Sequence, residues 1–141
     1  MYAAIRIRGS VGVRGDIEQT LKYLRLNRVN HCVLIKKDGK ADGMLRKVSG
    51  FITWGEINPE VLDDLVAKRG RLHGDVRLDA KAAKEAAEHI LKHKTVKDMK
   101  IKPVFRLSPP KKGLRTIKLP FPKGDAGYRG DKINKLLERM I

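Results

Sequence analysis

The chain has a single cysteine, Cys32, among its 141 residues. No intrachain disulfide can therefore form, and we expect a reducing, cytoplasmic environment. Cys32 begins the apolar run Cys32-Val33-Leu34-Ile35, which favours burial in a core over a nucleophilic role. The apolar runs are all far shorter than the roughly 18–20 residues that cross a membrane, so we expect no membrane partner.

The motifs of common enzyme classes are also missing. The sequence contains no P-loop, no H-E-x-x-H, no C-x-x-C and no G-x-S-x-G. His89 and His93 have the i, i+4 spacing that can bind zinc, but solvated histidines near a helix end are the favoured interpretation. Asp63 and Asp64 are adjacent and point in different directions on a helix, so a solvated acidic first turn is favoured over a metal pair. We expect no catalytic residues, no metal and no cofactor.

Acidic residues are scarce relative to basic ones. There are 16 Asp and Glu against 32 Lys and Arg, which gives a formal net charge of +16 and an isoelectric point near 10.2. A compact chain with this excess repels itself unless it meets a polyanion. An isoelectric point above about 9 is typical of nucleic-acid-binding domains. The 41% hydrophobic content still allows a folded core.

Residues 1–57 show the periodicity of a small α+β domain. Strands are predicted over 2–8, 31–36 and 51–54, the first with one face buried. A helix is predicted from an apparent capping box at Asp16 and Gln19, and a short second helix over 43–49. The order is therefore β-α-β-α-β, with both helices packed on one face of the sheet.

The remaining residues divide into a helical insertion, 58–99, and a basic, proline-rich extension, 100–141, with a C-terminal helix. Asn58-Pro59 predicts a helix start that Gly70 ends, and Asp79 caps an alanine-rich helix reaching about His93. Five of the six prolines fall after residue 100. We therefore expect an extended segment along phosphates rather than a packed unit, with a disordered tail as the alternative.

The candidate RNA-binding residues are mostly basic side chains that can pair with phosphates or stack on bases. Trp54 lies in an apolar strand and is assigned to the core, whereas Tyr128 is expected to be exposed. For Asn30, a simple turn role is an equally good interpretation. The candidates form three clusters: Arg6, Arg8 and Arg14; Lys22, Arg25, Arg28, Asn30 and His31; Arg106, Lys111, Lys112, Arg115, Lys118, Lys123, Tyr128 and Arg129.

Four strings along the chain are distinctive: LRLNRVNHCVL, FITWGEI, FRLSPPKKG and GYRGDKINKLL. Together, and in this order, they closely resemble the uL30 family of large-subunit ribosomal proteins in its longer, archaeal form. The resemblance implies an antiparallel three-stranded sheet in β-α-β-α-β order, somewhat like the ferredoxin fold. Its matching positions include Arg25, Arg28, Asn30 and His31, together with Phe105, Arg106, Pro109, Pro110, Lys111, Lys112, Tyr128 and Arg129.

The resemblance also implies a structural constituent of the large ribosomal subunit. Such a protein binds ribosomal RNA near the 5S RNA, contacts neighbouring ribosomal proteins and has no catalytic activity. We further expect the helix-free face of the sheet to meet other ribosomal elements. A general packaging protein that binds duplex DNA is the alternative that the composition also permits. An RNA-modifying enzyme would need a cofactor fingerprint or metal cluster, which the sequence does not show.

Overall fold

The computed structural model describes residues 1–93, without the side chain of His93, and residues 101–141. Its described strands form one mixed sheet in the order β4-β2-β1-β3-β5. β1 pairs antiparallel with β2 and β3, β4 pairs antiparallel with β2, and β5 runs parallel to β3. The strands are β1 (Tyr2–Arg6), β2 (His31–Ile35), β3 (Ile52–Glu56), β4 (Val104–Arg106) and β5 (Gly127–Tyr128). The predicted α+β class is confirmed, with an edge strand added on each side of the expected three.

Two helices, α1 (Gly15–Tyr23) and α2 (Gly39–Lys47), pack on the same face of the sheet. Leu21 and Leu45 are fully buried there against strand residues that include Trp54, which confirms its core assignment. The predicted capping box of α1 is wrong, because the cap is Arg14 without a side-chain hydrogen bond. α2 begins four residues earlier than predicted, since the Asp38 side chain accepts a hydrogen bond from the Ala41 amide at 2.9 Å.

The opposite face of the sheet is covered, so the expectation of a helix-free face is wrong. α3 (Pro59–Arg69), α4 (Ala80–His93) and α5 (Ile133–Glu138) contribute to one buried cluster there. The sheet supplies Ile5, Cys32 and Phe105 to this cluster, all fully buried. Because both faces are covered, every residue of β1 is buried. Burial raises the pKa of the Cys32 thiol to about 12, as expected for a core cysteine.

Residues 101–141 are packed against the rest of the protein rather than merely extended. Phe105 is fully buried, and the backbone of β4 forms hydrogen bonds with the edge of β2. At the other edge, Gly55 allows the backbone of Gly130 to approach β3, because a Cβ at position 55 would overlap the Gly130 carbonyl oxygen. Ile117 and Leu119 in this part of the chain are nevertheless exposed. No helix within the described residues is long and apolar enough to span a membrane.

Candidate nucleic-acid interface

The strand pairing brings three basic loops to one end of the sheet. Arg6 at the end of β1 pairs with Ile52 at the start of β3, and Arg106 at the end of β4 pairs with His31 at the start of β2. β5 starts beside Thr53, near the same end. This basic end therefore gathers the β1–α1 loop (residues 7–14), the α1–β2 loop (24–30) and the C-terminal loop (107–126).

The basic end carries nine cationic side chains and one carboxylate. The carboxylate belongs to Asp125, which is buried against Arg129 and is not presented to solvent. Of the nine cations only Arg8 is half-buried, and the others are exposed. Such an unbalanced surface attracts a polyanion. The nine are Arg8, Arg14, Arg25, Arg28, Lys111, Lys112, Arg115, Lys118 and Lys123.

Arg6 holds the α1–β2 loop in place from inside the protein. Its side chain is only 2% exposed, and its Nη1 donates hydrogen bonds to the carbonyl oxygens of Leu26 at 2.8 Å and Asn27 at 3.1 Å. Its Nε donates to the Arg8 carbonyl at 2.8 Å. The buried guanidinium therefore organises the loop from within. A phosphate cannot reach this buried side chain, so Arg6 is not part of the proposed contact surface.

Two residues of the α1–β2 loop have a left-handed backbone conformation. Arg25 has φ 60° and Asn30 has φ 64°. The Asn30 amide donates to the Arg6 carbonyl at 2.8 Å, and its carbonyl accepts from the Leu107 amide at 3.0 Å. Asn30 thus has the turn role that the sequence left open. Arg25 and Arg28 are exposed, and neither forms an ion pair with any residue the structure describes.

Several exposed or half-buried residues among the predicted contacts already have partners within the protein, including Arg106, which pairs with Asp75 at 3.5 Å. Arg14 pairs with Asp16 at 3.4 Å, and Lys22 pairs with Glu18 at 3.1 Å on α1. Exposed pairs of this kind contribute only about 0–1 kcal/mol, so a phosphate can replace the carboxylate at small cost. The Arg8 guanidinium lies 4.9 Å from the centre of the Phe51 ring. That ring orients Arg8 beside the start of β3.

His31 lies among positive charges at the basic end. Its side chain is half-buried, and it pairs in register with Arg106 of β4. Burial is the main cause of a lowered pKa of His31, and Arg106, Arg28 and Arg6 lower it further. His31 is therefore neutral near pH 7. A neutral imidazole can donate or accept a hydrogen bond at a base or ribose, but it does not add to the positive charge of the surface.

The C-terminal loop is anchored at both of its ends. Near its start, Arg139 donates hydrogen bonds to the carbonyl oxygens of Lys111 and Gly113. Near its end, Arg129 donates to Asp125 at 2.8 Å and to Thr53 at 2.8 Å. The Arg129 side chain is buried, so it anchors the loop and we leave it out of the proposed contact surface. Lys111, Lys112, Arg115, Lys118 and Lys123 project from the anchored loop.

Tyr128 lies on the outer edge of the sheet, away from the three loops. It is 51% exposed, as expected, and its ring contacts Tyr2 and Trp54. Its hydroxyl donates to Glu56 at the far end of β3. This hydrogen bond is the main cause that raises the pKa of Tyr128 to about 12. The structure therefore separates Tyr128 from the basic end, and stacking on a base there stays a prediction.

Comparison with known proteins identifies the family. The family model described as Ribosomal protein L30p/L7e matches residues 2–52. The Large ribosomal subunit protein uL30 of Methanococcus vannielii is 49% identical over 152 aligned residues, which cover 99% of each chain. The chain belongs to the uL30 family. Proteins of the same name from Methanosphaera stadtmanae and Archaeoglobus fulgidus are 41% and 42% identical, with at least 99% of each chain covered. This is a family of ribosomal proteins, not of enzymes, and the predicted archaeal long form is confirmed.

Sequence reasoning missed three members of this uL30 chain's basic surface. Phe121, Lys132 and Arg139 line a cavity of about 630 Å³ beside the C-terminal loop. None of the three is among the contact residues that the sequence predicts. Their sequence separation hides the site, because residues 112–125 meet residues 129–139 only through the folding of β5 and α5. No group of three or more His, Cys, Asp or Glu that could hold a metal occurs in the described part of the chain.

Proposed function

We propose that the protein is a non-catalytic structural constituent of the large ribosomal subunit and binds large-subunit ribosomal RNA through the basic end. The observation that carries this proposal is the collection of nine cationic side chains, with a single buried carboxylate, at one end of the sheet. Each phosphate that these side chains neutralise releases counterion, which favours binding. Membership of the uL30 family supplies the ribosomal context.

The mechanism is electrostatic and depends on shape. Arg25 and Arg28 present planar guanidinium groups that suit bidentate contact with phosphate oxygens. Arg6 fixes the loop that carries them, so little conformational entropy is lost when the RNA binds. The five cations of the C-terminal loop follow the RNA backbone next to them. Asn30 ends the α1–β2 loop and His31 begins β2, next to the start of the C-terminal loop, where the Leu107 amide donates to the Asn30 carbonyl. Their side chains are suited to contact base edges or ribose hydroxyls.

The family resemblance implies finer placement near the 5S RNA and contacts with neighbouring large-subunit proteins, within cytoplasmic ribosomes. Crosslinking of the protein within purified large subunits tests this placement directly. Crosslinks to the 5S RNA or to large-subunit RNA within reach of it would support the placement. Crosslinks confined to RNA distant from the 5S RNA would rule out this placement but would leave the RNA-binding proposal intact.

Competition between two nucleic acids tests the proposed function against packaging of duplex DNA. The protein is bound to labelled, folded large-subunit RNA and challenged with unlabelled folded RNA or duplex DNA at equal phosphate concentration and equal salt. The proposal predicts that folded ribosomal RNA displaces the label at a much lower concentration than DNA. Equal displacement by both would mean that the basic end acts only as a general polyanion surface, as a packaging protein requires.

A further inference from the structure

The cavity beside the C-terminal loop has the dimensions of a small-ligand site. Its volume is about 630 Å³, within the range of about 300–1,000 Å³ that such sites occupy. One wall is formed by the C-terminal loop with Lys112, Arg115 and Phe121. The other is formed by Arg129 and Lys132, which precede α5, and by Arg139, which directly follows it. The cavity therefore admits a single compact group, but not an intact double helix.

The charge of the cavity selects an anion. It is lined by the cations Lys112, Arg115, Arg129, Lys132 and Arg139 and by one carboxylate, that of Asp125. Asp125 is already occupied, because one oxygen accepts from the Arg115 amide at 2.5 Å and the other pairs with Arg129 at 2.8 Å. The remaining positive charge is uncompensated. A cation or a neutral apolar ligand would not use it.

The five cations divide into two kinds. Arg129 and Arg139 donate hydrogen bonds to Asp125, Thr53 and backbone carbonyls, so they build the walls. Lys112, Arg115 and Lys132 are exposed, and their side chains have no carboxylate partner among residues 1–93 and 101–141. Three cations without a carboxylate partner around one cavity are suited to the oxygens of a phosphate, which Lys132 would contact by leaving its position over the Phe121 ring.

Phe121 supplies an aromatic surface beside these cations. Its half-buried ring has the Arg129 guanidinium and the Lys132 ammonium group each 5.3 Å from its centre. Proteins bind unpaired nucleotides by stacking the base on an aromatic ring while cations hold the backbone. A duplex has no free base to offer, so this combination of ring, cations and volume favours a single unpaired nucleotide.

We propose that this cavity binds one unpaired nucleotide of an RNA strand, whose base stacks on Phe121 and whose phosphate contacts Lys112, Arg115 and Lys132. The inference rests on the proposed function and makes it more specific. The cations at the basic end hold the RNA backbone without regard to pairing. The cavity adds a preference for RNA in which one nucleotide is turned out of its stack.

The test uses the full-length protein and a short single-stranded RNA that carries one 2-aminopurine, whose fluorescence falls when it stacks. The wild-type protein should quench the probe and bind it more tightly than the same RNA in a perfect duplex. Phe121→Leu should weaken binding by about fivefold to about a hundredfold, the usual effect of losing one stacked aromatic, and should remove the quenching. Phe121→Tyr keeps the ring and should bind and quench like the wild type.

A lysine pair keeps the test valid if Phe121→Leu proves unstable. Lys132 lines the cavity, whereas Lys135, one turn farther along, is exposed and does not line it. Lys132→Ala should weaken binding of the probe and reduce quenching, while Lys135→Ala should leave the quenching unchanged. Displacement of the probe by micromolar adenosine monophosphate would overturn the RNA as ligand and indicate a free nucleotide. Displacement only by unlabelled single-stranded RNA supports the proposal.

The two proposals fail in different ways. If Phe121→Leu and Lys132→Ala quench and bind the probe like the wild type, the cavity does not bind the nucleotide. Binding of folded ribosomal RNA, measured on the same samples, would then still stand on the basic end. If the wild type also shows no preference for folded ribosomal RNA over duplex DNA, the proposed function itself is wrong.

Discussion

The α1–β2 loop and the C-terminal loop both present cations at the basic end, but they are held there in different ways. The first is seven residues long and is fixed by Arg6, a buried arginine in the neighbouring strand. The second is longer and is anchored by Arg129 at one end and Arg139 at the other. In both loops a wholly or partly buried arginine donates to loop atoms so that exposed cations are free to bind. Some arginines of this protein therefore hold the loops in place from within, and others are exposed and form the cationic surface.

Arg129→Ala should have the largest effect, because it breaks the buried anchor of the C-terminal loop. It leaves the Asp125 carboxylate buried without its cation, and breaking a buried pair costs about 3–5 kcal/mol. The free energy of unfolding, measured by denaturant titration, should fall by about that amount. Arg115→Ala is the control, since the Arg115 side chain is exposed, and it should change stability little. Equal stability of the two variants would show that Arg129 does not anchor the loop.

Arg6→Ala should have the next largest effect and should act on the other loop. The carbonyl groups of Leu26 and Asn27 lose their donor, at a cost of about 1–3 kcal/mol in the free energy of unfolding. Hydrogen exchange of the Asn30 amide should also become faster, because its loop loosens. The matched control is Arg8→Ala, which removes a half-exposed arginine two residues away. If Arg8→Ala destabilises the protein as much, burial of Arg6 is not what holds the loop.

Arg25→Ala together with Arg28→Ala should leave stability almost unchanged but weaken binding of large-subunit RNA. Two lost phosphate contacts should reduce the steepness of log K against log salt concentration by about two. The slope is measured between about 50 and about 200 mM salt. The control is Lys36→Ala with Lys40→Ala, which removes the same charge from exposed positions at the opposite end of the sheet. A slope that changes equally in both double variants would exclude a specific role for the α1–β2 loop.

The smallest effect expected is a pH dependence that originates at His31. The fold lowers the pKa of His31 below its ordinary value of 6.5, chiefly through burial, so the unfolded chain binds the proton more readily. His31 therefore leaves the free energy of unfolding unaffected above about pH 6.5 and lowers it as the pH falls below that value. The wild type should therefore lose more stability than His31→Asn between pH 7 and a lower, still native pH. Parallel stability curves for the two proteins would contradict this assignment.

Much of the fold could be predicted because its elements are long enough to show a period. The apolar stripe Ile17, Leu21 and Leu24 indicates α1, and Asn58-Pro59 with Gly70 gives the ends of α3. β4 and β5 could not be predicted, since strands of three and two residues carry no detectable alternation. Their existence depends on unpaired edges of β2 and β3 that only the folded sheet provides. The covering of the second face of the sheet by α3, α4 and α5 likewise depends on how the whole chain folds, so no local pattern predicts it.

The candidate site could be predicted only in part, because residue type does not distinguish a buried arginine from an exposed one. Arg6 and Arg129 were assigned to RNA on the same grounds as Arg25 and Arg28. One signal was present for Arg6, which alternates with Tyr2 and Ala4 and so shares their face of β1. That face turned out to be buried. For Arg129 the nearby Asp125 does not by itself indicate burial, and its other partner, Thr53, is far away in sequence.

Lysine acetylation with and without bound large-subunit RNA tests most directly whether the basic end is the RNA-binding surface. The extent of modification at each lysine is read by mass spectrometry on the full-length protein. The account predicts that RNA protects Lys111, Lys112, Lys118 and Lys123 at the basic end, while Lys36 and Lys40 at the opposite end stay reactive. Protection of Lys36 and Lys40 with continued reactivity of the C-terminal loop would place the RNA elsewhere and contradict it.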